Sequence, residues 1–240
     1  MNEQLKEQLC YWAEMYHKKD FITKDPVQFP HRFSKERDVE VSALLTAFLS
    51  FGARPQILKT VNSLHDMIGF SPYEYILSKR WKTFFSADDM RSFYRMVSYA
   101  KMHDFLSLLY RIYSEYNSFQ QALVENSGEN PFQKLCRLLN VSENSPQKKI
   151  NMFLRWMVRR HSPVDFGIWT NFDAADLIMP LDTHVLRMSN QLTLLHSETF
   201  SLKNALSITR QLSDVFPSDP CLGDFALFGY GVEQRKLKKD

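Results

Sequence analysis

Glycine is scarce in this chain, with 7 residues in 240 against a usual share of roughly 7%. So few glycines argue for few turns and much helix. The pair Gly229-x-Gly231 lacks the third glycine and the preceding strand of a nucleotide-binding fingerprint, which removes that class of function. Cysteine is equally sparse. Cys10, Cys136 and Cys221 are odd in number and far apart, so they suit free thiols in a reducing compartment better than a disulfide framework. They also lack the spacing of a zinc or iron–sulfur site. No apolar run approaches the ~20 residues of a membrane span, and the first residues, Met-Asn-Glu-Gln-Leu-Lys-Glu, have no signal-peptide character. A cytoplasmic location is expected. No sign of charge dominates, since 30 Lys and Arg stand against 27 Asp and Glu for a net +3. Any contact with a polyanion must therefore come from the local distribution of charge. Internal repeats and low-complexity segments are absent, and strand-like alternation is rare.

What remains is a helical pattern. Residues 3–18 place Leu5, Leu9, Trp12 and Tyr16 on one face. Residues 20–35 read as a connector with turns at Asp25-Pro26 and Phe29-Pro30. A helix is expected from Asp38 to Phe51, and another begins at Pro55. Further helices are expected near 72–78, 88–100, 103–116, 118–125 and 132–140, then over Gln147–Arg160, from Asp182, near 201–214 and near 223–234. The expected class is all-α, in two lobes. Lobe A covers 36–140, and lobe B combines 1–35 with 146–240, the best boundary lying at Val141–Pro146.

Pro180-Leu181-Asp182-Thr183-His184-Val185-Leu186-Arg187 carries the strongest chemical signal. Asp182 is placed to cap a helix with its carboxylate, and the same carboxylate is able to face a cleft. The octet resembles the helix-hairpin-helix DNA glycosylases, the endonuclease III-like superfamily, in which a Val-Asp-Thr-His-Val-like segment carries the catalytic aspartate. Ala43–Arg54 is similar to the glycosylase helix that ends in Leu-Ser-Ala-Gln. The wedge position there reads Gly52, so that Arg54 would substitute for it. Asp224-Phe225-Ala226-Leu227-Phe228-Gly229 resembles the late helix that precedes the cluster cysteines of endonuclease III, but no cysteine follows. The resemblance therefore implies no iron–sulfur cluster, and no cofactor or metal is expected. An uncharacterised bacterial family combines the Asp182 and Asp224 motifs in the same way, and the chain looks like a member of it.

The chain departs from the superfamily at the hairpin. Residues 161–181 contain a single glycine, Gly167, and no lysine stands between Lys149 and Lys203, so the usual hairpin and its lysine are degenerate or absent. Lys149-Ile150-Asn151-Met152-Phe153 resembles instead the lysine-bearing helix of the archaeal oxoguanine glycosylases. That likeness implies Lys149 as nucleophile with Asp182 as its partner, and an oxidised purine in DNA as the lesion. Helix geometry places Lys149 on the shoulder above Phe153, on the side of Trp156, whereas Lys148, Arg155 and Arg159 fall on a face expected to be solvated.

Several further roles follow from this reading. Arg54, Lys148, Arg155, Arg159, His184 and Arg187 are the expected DNA contacts. Trp156, Trp169 and Phe228 are the aromatic candidates for stacking on a flipped base, with nothing to select among them. The expected partner is duplex DNA bearing a damaged base or an abasic site, gripped across the cleft between the lobes, and the protein is expected to be a nucleoid-associated monomer. Two other readings stay open: a DNA- or lesion-binding protein without chemistry on the same fold, and a helical protein–protein scaffold. A metal-dependent hydrolase would need His161, Asp165, Asp182 and His184 to gather, which their spacing does not show.

Overall fold

In a computed structural model, which describes residues 1–237, the chain is all-α. It divides into two compact units, one made of residues 1–24 and the chain from Ser127 onward, the other of Asp25–Asn126. Among the described residues no helix is long and apolar enough to cross a membrane.

The inserted unit holds α2 (Glu36–Leu49), α3 (Arg54–Ile68), α4 (Pro72–Leu77), α5 (Tyr99–Glu115) and α6 (Phe119–Glu125). At its centre, α2 buries nearly every side chain, including two carboxylates. Both are satisfied. Asp38 accepts from the Ser71 hydroxyl at 2.7 Å and the Tyr73 N–H at 3.0 Å, and Glu40 accepts from the Tyr113 hydroxyl at 2.7 Å and the Phe119 N–H at 2.9 Å. Burial without these partners would cost several kcal/mol each.

One expected helix is not formed. Residues 88–100 instead make a two-stranded hairpin, β1 (Ser92–Tyr94) and β2 (Val97–Ser98), and run on into α5. Three local features decide this. Arg95 adopts a left-handed backbone at the turn (φ 52°). The Ser92 hydroxyl donates to the Arg95 carbonyl at 2.7 Å, and Ser98 caps α5 by accepting from the Lys101 N–H. Aromatic packing of Phe93 on Phe85 and Tyr99 then favours the extended form.

The other unit holds α1 (Glu3–Tyr16), α7 (Pro131–Leu138), α8 (Lys148–Val158), α9 (Thr183–Gln191), α10 (Leu202–Ser213) and α11 (Gly223–Leu237). The segment containing α7, read from sequence as part of the middle lobe, belongs here, because Phe132, Leu135 and Cys136 are buried and α7 packs on α8. Of the connector at 20–35, read from sequence as part of this lobe, residues 20–24 belong here and residues 25–35 to the inserted unit. The Phe21 ring meets Phe225 and Phe228 of α11.

Both glycines near the end of the Asp224 motif are packing positions. A Cβ on Gly229 would lie 2.4 Å from the Tyr16 ring of α1, and one on Gly231 would lie 2.2 Å from His184 Cε1 of α9. Two helices thus approach α11 where it has no side chain. Gly231→Ala is expected to cost about 1–3 kcal/mol through overpacking, read as a lower urea midpoint at unchanged m-value.

Candidate active site on α8 and α9

Asp182 is the N-cap of α9. Its Oδ1 accepts from the Val185 N–H at 2.9 Å, while Oδ2 lies 3.3 Å from Lys148 Nζ. The two side chains are 34% and 35% exposed, so the pair meets solvent without being surrounded by it. The carboxylate is divided between holding a helix end and facing a cation.

Lys148 opens α8. Its N-cap, Gln147, has a left-handed backbone (φ 36°, ψ 58°) and makes no capping hydrogen bond with its side chain. The Gln147 amide donates to the Ser142 carbonyl at 2.9 Å, and the Asn151 amide donates to the Pro146 carbonyl at 2.8 Å. The turn is therefore pinned from outside while two lysines, 148 and 149, occupy the positive end of the helix dipole. That is the electrostatically unfavourable end for cations, and Asp182 offsets it. Lys149, the next residue of α8, is half-buried. The structure thus joins Lys148, read from sequence as a solvated side chain, to Asp182.

Beyond its first turn α8 has no solvated face, since every residue from Ile150 to Val158 is buried. Arg155 and Arg159 are not DNA contacts. Their side chains are 4% and 2% exposed and share the wholly buried Asp165. Arg155 Nε donates to Asp165 Oδ1 at 3.3 Å, and its Nη1 bonds Asp224. Arg159 bonds Asp165 through Nη1 and clamps Asp219 through Nε at 2.8 Å and Nη2 at 2.7 Å. Both guanidiniums lie over the Phe225 ring, 5.0 and 5.4 Å from its centroid. Burial works against the Arg159 charge, but Asp165 and Asp219 outweigh it and raise its proton affinity above the ordinary value.

Ser162 completes this cluster. Its oxygen accepts the Val164 and Asp165 N–H groups, donates to Asp165 Oδ2 at 3.1 Å, and sits 2.8 Å from His17 Nε2. Burial, then the Arg159 charge, pull the His17 pKa down to about 4. Sequence reasoning missed this network because an Arg-x-x-x-Arg spacing on a helix reads as a wet face. The usable signal was Asp165, close behind both arginines in the chain.

The aromatic candidates divide. Trp156 and Trp169 are core, at 0% and 1% exposure, and neither offers a face to a base. Phe228 is half-buried, with the Tyr16 and Phe21 rings edge-on to it at 5.8 and 5.1 Å. His184 is not an outward DNA contact either. Its Nε2 lies 3.3 Å from the Leu227 carbonyl, and its ring occupies the space above Gly231. Arg187 is exposed on α9. Arg54 belongs to the other unit, exposed at the start of α3 and 3.9 Å from Asp25.

Between α8 and α9 the chain carries only a short 3₁₀ turn at Ala174–Asp176, so no helix-hairpin-helix turn is formed there. Gly167 closes the loop onto α8. Its φ is 58°, and a Cβ would lie 2.7 Å from the Arg159 carbonyl oxygen. Among the described residues no three His, Cys, Asp or Glu side chains gather for a metal ion.

Two outcomes are expected. Asp165→Asn leaves two buried guanidiniums short of a charge and should cost about 3–5 kcal/mol in chemical denaturation. Asp219→Asn, at the wetter edge, should cost clearly less. Burial also holds His65 at about 4. Because His17 and His65 bind protons more weakly folded than unfolded, their contribution is fully present above pH 6.5 and is lost as pH falls from 6.5 towards 4. The urea midpoint should drop between pH 7.5 and 5, and His17→Gln should lessen that drop.

No curated protein and no solved structure matches the chain. A family model described as a protein of unknown function, DUF2400, matches residues 25–233, through both units, and the chain belongs to that family.

Proposed function

We propose that the protein is a DNA N-glycosylase with abasic-site lyase action, and the observation that supports it most is the Lys148–Asp182 pair at the start of α8, where the half-buried Lys149 is the next residue. The likeness of Pro180–Arg187 to the helix-hairpin-helix glycosylases supplies the reaction class. A nucleotide with a damaged base, an oxidised purine by the likeness of Lys149–Phe153 to the archaeal oxoguanine glycosylases, is turned out of the duplex before reaction. The Lys149 nitrogen then forms a bond to C1′ as the C1′–base bond breaks, and the base departs with that electron pair and gains a proton. Ring opening gives an imine, and removal of a C2′ proton expels the 3′ phosphate.

The roles of the two lysines follow from charge. Lys148 Nζ lies 3.3 Å from Asp182 Oδ2 and is the cation that faces this carboxylate. Lys149, in the first turn of α8, is the nucleophile, and attack requires its amine to be neutral. Asp182 Oδ2 remains close enough to offset positive charge developing on the sugar.

Borohydride trapping on duplex DNA with an abasic site tests this reading. The wild type should form a covalent adduct, Lys149→Gln none, and Lys148→Gln a reduced amount. Asp182→Asn, which keeps the cap but not the charge, should slow trapping by about 100-fold. An adduct that survives Lys149→Gln moves the nucleophile elsewhere. The absence of any wild-type adduct overturns the lyase, and salt-sensitive DNA binding would then point to a binder without chemistry.

A further inference from the structure

The segment Lys79-Arg80-Trp81-Lys82 of the inserted unit carries three exposed cations in four residues. Trp81 anchors it. The indole is 1% exposed, and its N–H donates to the Ile76 carbonyl at 3.2 Å. The following 3₁₀ turn, Arg80–Thr83, is held by the Thr83 hydroxyl donating to the Arg80 carbonyl at 2.8 Å. Lys79 takes a left-handed backbone (φ 55°) at its start.

Each cation is mounted on a ring rather than on a carboxylate. Lys79 Nζ is 4.2 Å from the centroid of Tyr110, the Arg80 guanidinium 5.9 Å from that of Tyr75, and Lys82 Nζ 5.6 Å from that of Trp81. Among the described residues none of the three forms an ion pair with a carboxylate. Ring faces orient a cation without cancelling its charge. The result is a small, rigid concentration of positive charge in a chain whose net charge is only +3.

We infer that Lys79, Arg80 and Lys82 form a sequence-independent anchor for the phosphate backbone of duplex DNA, an inference that rests on the reading of the protein as one that acts on DNA. The 3₁₀ turn Arg80–Thr83 holds Arg80 and Lys82 within about 4 Å of rise, with Lys79 immediately before it, while one DNA strand carries a charge every ~3.4 Å of duplex axis. The three cations thus meet two or three phosphates at once. An acidic peptide, at ~3.3 Å per residue, matches this density only if nearly every residue is acidic. A lipid surface calls for an apolar face to bury, and within residues 79–84 Phe84 is the one exposed apolar side chain, at 56%.

The test is the salt dependence of binding to a lesion-free 30-base-pair duplex, for the full chain. The wild type should show log K falling linearly with log salt. The variant K79A/R80A/K82A should show a slope shallower by about 1.8 to 2.7, from 0.9 per phosphate contact. K79R/R80K/K82R should restore the wild-type slope. The charge-matched variant K18A/K19A/K203A should change it by less than one. Equal thermal midpoints for all four confirm that folding is not the cause. An unchanged slope in K79A/R80A/K82A overturns the anchor even where abasic-site trapping succeeds. Failed trapping with the expected loss of slope overturns the chemistry and keeps the anchor. Wild type that ignores DNA but binds phosphatidylserine vesicles through these residues overturns the anchor in favour of a lipid surface, and wild type that binds neither overturns it outright.

Discussion

Asp165 is the constraint around which the larger unit is organised. It lies wholly out of water between Arg155 and Arg159, and those arginines reach on to Asp224 of α11 and Asp219 of the preceding turn. Withdrawing such charges from water costs several kcal/mol per ion, and attraction repays that only when geometry is good and every donor is used. Stability is thus a poor measure of what the cluster does. Its consequence is positional. A planar guanidinium accepts its partners in few orientations, so α8, the loop after it and α11 have one mutual register. Phe225 below both guanidiniums and Gly167 against the end of α8 close off the alternatives.

The cations of α8 fall into two kinds, separated by the polarity of the helix. Arg155 and Arg159 occupy its C-terminal part, where the backbone dipole favours positive charge, and they are fully paired. Lys148 and Lys149 occupy its N-terminal turn, where the dipole opposes them and where no side chain caps the helix. A fold selected for stability alone would place aspartate or serine there. Roughly 10 Å of helix separates Lys148 from Arg155. The buried network therefore fixes the rod, and the two lysines stand at its N-terminal end, Lys148 offset there by Asp182.

The helices and the Asp182 cap were legible in the sequence because they rest on local rules. Leu9 and Trp12 of α1 fall on the expected buried face, and α9 begins where the cap was expected. What was not legible depends on residues far apart in the chain. Arg155 reads as solvent-facing until Asp224, 69 residues on, is known to meet it. Trp156 and Trp169 read as stacking platforms because an aromatic ring carries no mark of whether its faces are covered. The hairpin at 92–98 was lost to a helical pattern because its turn rests on the left-handed backbone of Arg95, a conformation that arginine does not announce. The pairing of Lys148 with Asp182 was not legible because helical periodicity places a residue on one helix and ignores the neighbouring element, here the N-terminus of α9, that meets it.

Asp182 shows how a helix cap and an ion pair share a side chain. The cap alone explains a short polar residue, and serine, threonine or asparagine would also satisfy the N–H groups of the first turn. This protein uses such residues elsewhere, with Asn2, Ser71, Ser98, Ser118, Asn130 and Ser201 each capping a helix. What aspartate adds at 182 is a second oxygen with a charge, and that oxygen faces Lys148 rather than the helix it caps. Capping fixes the carboxylate's rotamer through Oδ1, so Oδ2 is aimed without further ordering cost. The helix end thus acts as the mount for a carboxylate whose charge the capping role does not require.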